Sequence, residues 1–151
     1  MAKEVPAMTL KPVGFVRSEI KETGRHDFSG VSEIVIDSRL TEALDGLDDF
    51  SHIIVLFWMH RLTEEEMPLK VHPMRRQELP LVGLFASRTP NRPNRIGKTT
   101  VRLLQRRGNV LLVEGLDAID GTPVIDIKPY IPGSDSVADS RVPEWIERVN
   151  R

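Results

Sequence analysis

The densest chemistry in the chain lies in Phe85-Ala86-Ser87-Arg88-Thr89-Pro90-Asn91-Arg92-Pro93-Asn94-Arg95-Ile96-Gly97. Two prolines restrict the backbone while asparagine and glycine supply turns, so this connection is stiff. It holds three arginines in nearly fixed directions, which suits bidentate guanidinium contact with a carboxylate or a phosphate. A surface turn with incidental arginines has the same appearance in one sequence. A second dense stretch, Gly115-Leu116-Asp117-Ala118-Ile119-Asp120-Gly121-Thr122-Pro123, runs into Val124-Ile125-Asp126-Ile127-Lys128-Pro129-Tyr130. Asp120-Gly121-Thr122-Pro123 is a turn by composition. The carboxylates at 117, 120 and 126, with Lys128, fit either a structural ion network or a site for sugar hydroxyls and a cationic ligand.

Other motifs exclude chemistry. Gly97-Lys98-Thr99-Thr100 looks like the end of a phosphate-binding loop and, taken so, would imply ATP or GTP binding. The glycine that loop needs five residues earlier is Arg92, followed by Pro93, which has no N–H to offer. No Gly-x-Gly-x-x-Gly is present, which disfavours a Rossmann-type cofactor site. Histidines stand at 26, 52, 60 and 72. On a regular strand His52 and His60 share a face but lie too far apart to hold one metal, and no His-Glu-x-x-His occurs, so no metal is expected. His60 reads as a strand-end cap or as a polar group at the rim of a pocket. The absence of cysteine removes disulfides, thiolate zinc sites and cysteine nucleophiles, and agrees with a reducing compartment.

Charge points to a polyanionic partner despite a net charge of −1. Leu79 to Val113 holds no Asp or Glu, yet carries Arg88, Arg92, Arg95, Lys98, Arg102, Arg106 and Arg107. Acidic residues follow at Glu114, Asp117, Asp120, Asp126, Asp135 and Asp139. One cationic and one acidic surface let a near-neutral protein bind an RNA backbone; solvated strand faces are the plainer alternative.

The elements that must position these residues read as β. Short apolar or alternating runs bounded by Gly, Pro, Asn and Asp indicate an all-β sandwich or barrel, with strands near 11–20, 32–38, 51–60, 80–87, 98–105, 110–118 and 123–130. Arg106-Arg107-Gly108-Asn109 makes a hairpin loop, and its flanking strands are antiparallel. Ser51 to His60 is apolar on both faces, as a central strand would be. Along the last strand, Ile125 and Ile127 share one face, Asp126 and Lys128 the other. Helical turns are expected near Thr41–Leu47, Thr63–Met67 and Pro143–Val149, with loops at the N-terminus and over Pro132–Ser140. At 151 residues the chain is expected to be a single domain spanning 1–151. It shows no secretory leader, and its longest apolar run, Ile53 to Met59, is too short to span a bilayer; a cytoplasmic protein without a membrane partner is expected.

Both dense stretches, with Asp49-Phe50-Ser51-His52 and Pro12-Val13-Gly14-Phe15-Val16-Arg17-Ser18, resemble the TsaA-like (TrmO) family from about Val13 to Pro132. That family includes tRNA threonylcarbamoyladenosine N6-methyltransferases. The resemblance implies a small antiparallel β-barrel with short helical turns, forming a homodimer and binding S-adenosylmethionine between or beside the barrels. By motif position the cofactor pocket would be lined by Arg25, His26, Met59, His60, Arg88 and the run Asp117, Ala118, Ile119, Asp120. Arg92, Arg95 and Lys98 would face the tRNA anticodon loop, with an arginine such as Arg92 meeting the threonyl carboxylate. His60 or Asp120 would be the base that takes the proton of the acceptor N6. An S-adenosylmethionine- or RNA-binding barrel without transferase activity is the alternative. Arg95 stands where family members commonly have proline, and the long C-terminal extension of many bacterial members is not seen here.

Overall fold

Period-two alternation is realised as a barrel wall. The computed structural model describes residues 3–24, 26–61 and 67–149. Its strands are β1 (Gly14–Arg17), β2 (Val31–Ile36), β3 (His52–Trp58), β4 (Lys70–Val71), β5 (Val82–Gly83), β6 (Ile96–Arg107), β7 (Val110–Glu114) and β8 (Pro123–Pro129). Two short helices follow, α1 (Pro132–Asp135) and α2 (Glu144–Val149). Six strands close in the order β1-β2-β7-β6-β3-β8, each neighbouring pair antiparallel, while β4 and β5 form a separate ribbon.

The inward set is Val16, Ile34, Ile36, Ile53, Val55, Phe57, Val101, Leu103, Leu111, Val113 and Val124, all buried in one core. Each such side chain stabilises the fold by about 1.5–3 kcal/mol relative to exposure. β3 is buried on both faces at Ile53, Ile54 and Val55, as its doubly apolar sequence requires, and pairs with β6 on one side and β8 on the other. β6 is long because it has two jobs: its first half pairs with β3 and its second with β7, with a register shift between Leu103 and Gln105 that lets it bend. Gly97 faces the Phe57 ring so closely that a Cβ there would lie 2.5 Å from it. The Gly-Lys-Thr-Thr run is therefore strand rather than phosphate loop. Gly108, at φ 59, turns the β6–β7 hairpin where the sequence placed it.

Pairing register decides which chain ends meet. The C-terminal ends of β1, β3 and β7 and the N-terminal ends of β2, β6 and β8 share one rim, stitched by Gly121 N to Val16 O (2.7 Å), Gly115 N to Gly30 O (3.0 Å) and Met59 N to Arg95 O (2.9 Å). The opposite rim carries 3-10 turns at Ser38–Leu44 and Leu47–Asp49, and Tyr130 N bonds His52 O there at 3.1 Å.

Several expectations are corrected. The strand at 80–87 is only Val82–Gly83 and gives way to a 3-10 turn over Leu84–Ala86, because Leu84 and Ser87 turn inward and the Ser87 hydroxyl donates to Leu84 O at 2.8 Å. Arg88 thus follows a turn, not a strand. The strand at 11–20 shortens to Gly14–Arg17, since Ser18 N leaves the ladder for Asp120 Oδ1. Ile125 and Ile127 do not share a clean buried face, because the register of β8 shifts between Leu56 and Phe57 of its partner. β4 was not foreseen; two residues carry no period. Pro132–Asp135, read as loop, makes one helical turn through bonds back to Ile131 and Pro132. The turn near Thr63–Met67 falls almost wholly outside the described residues. No helix among the described residues is long and apolar enough to cross a membrane.

Candidate active site

Three connections rise from the first rim: the segment after β1, the excursion from Met59 to Arg95, and the loop from Gly115 to Thr122. The last begins as a plug. Ala118, at 4% exposure, belongs to the main core cluster and Ile119 is buried too, so both side chains seal the barrel end and leave only backbone for a ligand. Thr122 donates from backbone and side chain to Ile119 O, at 3.2 and 2.7 Å, and Gly121 at φ 79 closes the turn.

Asp120 is fully engaged. Its Oδ1 accepts from Ser18 N at 2.9 Å, its Oδ2 pairs with Lys21 Nζ at 3.1 Å, and its own N–H donates to Ile20 O at 2.7 Å. The Ser18 amide, then the Lys21 ammonium, hold its carboxyl below the usual carboxylate range. His60 stands beside it: a Cβ at Gly121 would lie 3.9 Å from His60 Nε2. His60 Nδ1 is buried without a hydrogen-bond partner. Burial and then the neighbouring Arg61 charge push the imidazole below its ordinary pKa, against a smaller opposing influence of the Trp58 backbone. Arg61 in turn donates from Nη1 to Lys21 O at 2.9 Å. Asp120, Lys21, Arg61 and His60 thus form one chain of contacts.

The remaining residues divide. Met59 packs partly buried against the core, and Asp117 is exposed and accepts from the Thr99 hydroxyl of β6. His26 is exposed and meets Phe28 edge-on at 5.8 Å. Arg25 lies outside the described residues. Arg92 Nη1 donates to Ser87 O (2.9 Å) and Thr89 O (3.1 Å), so this arginine shapes the turn. Arg88 and Lys98 are exposed, and Arg95 is half-buried with its carbonyl bonded to Met59 N. The carboxylates at 117, 120 and 126 form three local pairings, with Asp126 joined to Lys128 at 3.1 Å, instead of one network. His52, at the far rim, bonds Ser51 and meets Tyr130 edge-on at 6.4 Å. No group of three His, Asp or Glu side chains comes together among the described residues.

Ser18, Lys21, Arg61 and Thr99 were missed by sequence reasoning. Arg61 is adjacent to His60, and Ser18 and Thr99 stand in stretches already singled out, but which partners they meet follows from strand pairing. An open depression of about 380 Å³ lies beside the rim, lined by Arg17, Ser18, Lys21, Ser32 and Glu33 among others. A second one of similar size, about 400 Å³, lies at the opposite rim against Leu44, Phe50 and Pro129, away from this chemistry.

A barrel with an arginine–proline turn and an Asp-Gly-Thr-Pro turn on one rim matches a known family. The model of the tRNA-methyltransferase O N-terminal domain fits residues 18–136. The chain belongs to that family. A probable S-adenosyl-L-methionine-binding protein of Archaeoglobus fulgidus is 40% identical over 146 residues, covering 93% of this chain and 38% of the relative. A mouse tRNA (adenine(37)-N6)-methyltransferase is 44% identical over 94 residues, 62% of this chain and 22% of the mouse protein. The crystal structure of TrmO from Pseudomonas aeruginosa superposes with a TM-score of 0.71 at 33% identity, covering 90% of this chain and 62% of that one. The chain spans less than two thirds of the length of each of these three relatives.

Proposed function

We propose that the protein is an S-adenosylmethionine-dependent tRNA methyltransferase whose acceptor is N6 of threonylcarbamoyladenosine in the anticodon loop. The observation that carries the reading is His60: an imidazole whose pKa burial pushes below its ordinary value, with a buried unpartnered Nδ1, against the Asp120–Gly121 turn of a chain that belongs to this family. Residues on the connections of this rim suit a cationic nucleoside. Asp117 offers an exposed carboxylate, Met59 and the Ile119 backbone offer apolar and polar contact, and His26 and Arg88 stand exposed. When bound, S-adenosylmethionine supplies an electrophilic methyl group.

His60 takes the N6 proton at Nε2, the nitrogen beside the Gly121 turn, while Nδ1 stays sealed. Asp120 serves as a positioning residue, because its oxygens are already committed to Ser18 and Lys21. Arg92, Arg95 and Lys98 meet the RNA, phosphate contacts giving affinity and one guanidinium meeting the threonyl carboxylate; Arg92 does so with the N–H groups that its Nη1 bonds to Ser87 O and Thr89 O leave over. The reading includes a homodimer, whose second copy completes the wall of the open depression lined by Arg17, Ser18, Lys21 and Glu33.

The test is incubation with S-adenosylmethionine and tRNA with or without threonylcarbamoyladenosine, followed by mass spectrometry of the nucleosides. One methyl gained only on the modified adenosine is expected. Cofactor and RNA binding without any methyl gain would leave a binding module; methyl gain on unmodified adenosine would name a different acceptor.

A further inference from the structure

We infer that Phe85 is a stacking platform for an unpaired base of the RNA, a subsite that rests on the RNA-binding reading above. Phe85 is 80% exposed. It stands at the centre of the Leu84–Ala86 turn, between the buried Leu84 and Ser87, and Ser87 closes the turn through its amide (3.2 Å) and hydroxyl (2.8 Å) on Leu84 O. Arg92 braces the other side. Its Nη1 bonds Ser87 O and Thr89 O, and its guanidinium carbon lies 5.9 Å from the Phe85 ring centroid, within cation–π range. The fold thus presents a large apolar ring to water from a hydrogen-bonded turn, with a guanidinium beside it. A preformed aromatic face loses little conformational freedom on binding.

Single-stranded loops are recognised by bases stacked on aromatic rings and guanidinium planes, with cations along the backbone. Charge selects this occupant. Residues 79–113 contain no Asp or Glu, and the exposed Arg88 lies three residues beyond the ring. Leu69, Met74 and Leu81 are also exposed on this excursion, so a protein partner is the competing occupant.

Affinity for an anticodon stem-loop RNA is measured by fluorescence anisotropy for wild type, Phe85→Ala and Phe85→Trp, with sedimentation equilibrium of each protein. Phe85→Ala is expected to weaken binding about 5- to 150-fold, the range of one base–aromatic stack, and to bind a fully paired RNA as wild type does. Phe85→Trp keeps the affinity, and RNA quenches its indole beyond the quenching seen in wild type. A loss below twofold, an equal loss on paired RNA, or a changed oligomeric state in Phe85→Ala overturns the subsite. Failure of wild type to bind either RNA overturns the RNA reading itself, and the subsite falls with it.

Discussion

At His60, one ring nitrogen without a partner separates the two candidate bases. A neutral imidazole can accept a proton, whereas the Asp120 carboxylate is held ionised by the Ser18 amide and Lys21. His60→Gln should therefore lower kcat about 10²- to 10⁴-fold, the usual contribution of a general base, while calorimetry still detects cofactor binding. Asp120→Asn should instead raise KM with a smaller change in kcat, because it loosens the segment from Ser18 to Lys21; a collapse of kcat alone would reverse the assignment. The imidazole also makes stability depend on pH. Its folded pKa lies below the unfolded value, so the unfolded chain binds more protons as the pH falls, and stability is complete above about 6.5 and declines below it. Denaturant unfolding of wild type and His60→Gln should diverge only below that pH. Arg61→Ala should move the His60 titration upward, towards its ordinary value, in an NMR titration.

Among the elements, β6 and the barrel seam carry the close approaches. Gly97 lets β6 lie against Phe57, and a Cβ 2.5 Å from that buried ring forces repacking. Gly97→Ala should cost about 1–3 kcal/mol, the usual range for overpacking, read as a lowered thermal midpoint. At Gly14, on the seam where β1 joins β2 and β8, a Cβ would lie 2.3 Å from Val35 O. Backbone cannot move aside as a side-chain tip can, so Gly14→Ala should destabilise more than Gly97→Ala. Equal midpoints would show that the seam relaxes freely.

Across the whole molecule, a basic stretch that looks uniform in sequence splits into two classes. Arg106, with only 17% of its side chain exposed, bonds Asp45, Thr41 O and Gly108 O and ties the 3-10 turn at Ser38–Leu44 to the hairpin; Arg92 ties its own turn. Lys98 and Arg102 point outward from β6. Removing Lys98 or Arg102 should reduce the salt slope of RNA binding by about 0.7–0.9 for each phosphate no longer neutralised. Arg106→Ala should lower stability and leave that slope alone. The converse result would place the RNA path elsewhere.

What the sequence determined by itself is local. Alternation in Val31–Ile36, the doubly apolar His52–Trp58 and the Gly108 hairpin were legible because side-chain period and turn chemistry are properties of neighbours in the chain. The two motif turns were legible for the same reason, and their residues announced the family. The partners of those residues were not legible. Lys21 reaches Asp120 across 99 positions, Thr99 reaches Asp117, and Arg61 reaches the Lys21 carbonyl, all because antiparallel register brings six strand ends to one rim. The burial of Ala118 and the curl of Leu84–Ala86 were equally hidden. Register is decided by how inward side chains share one core, and that is settled only when all the strands meet.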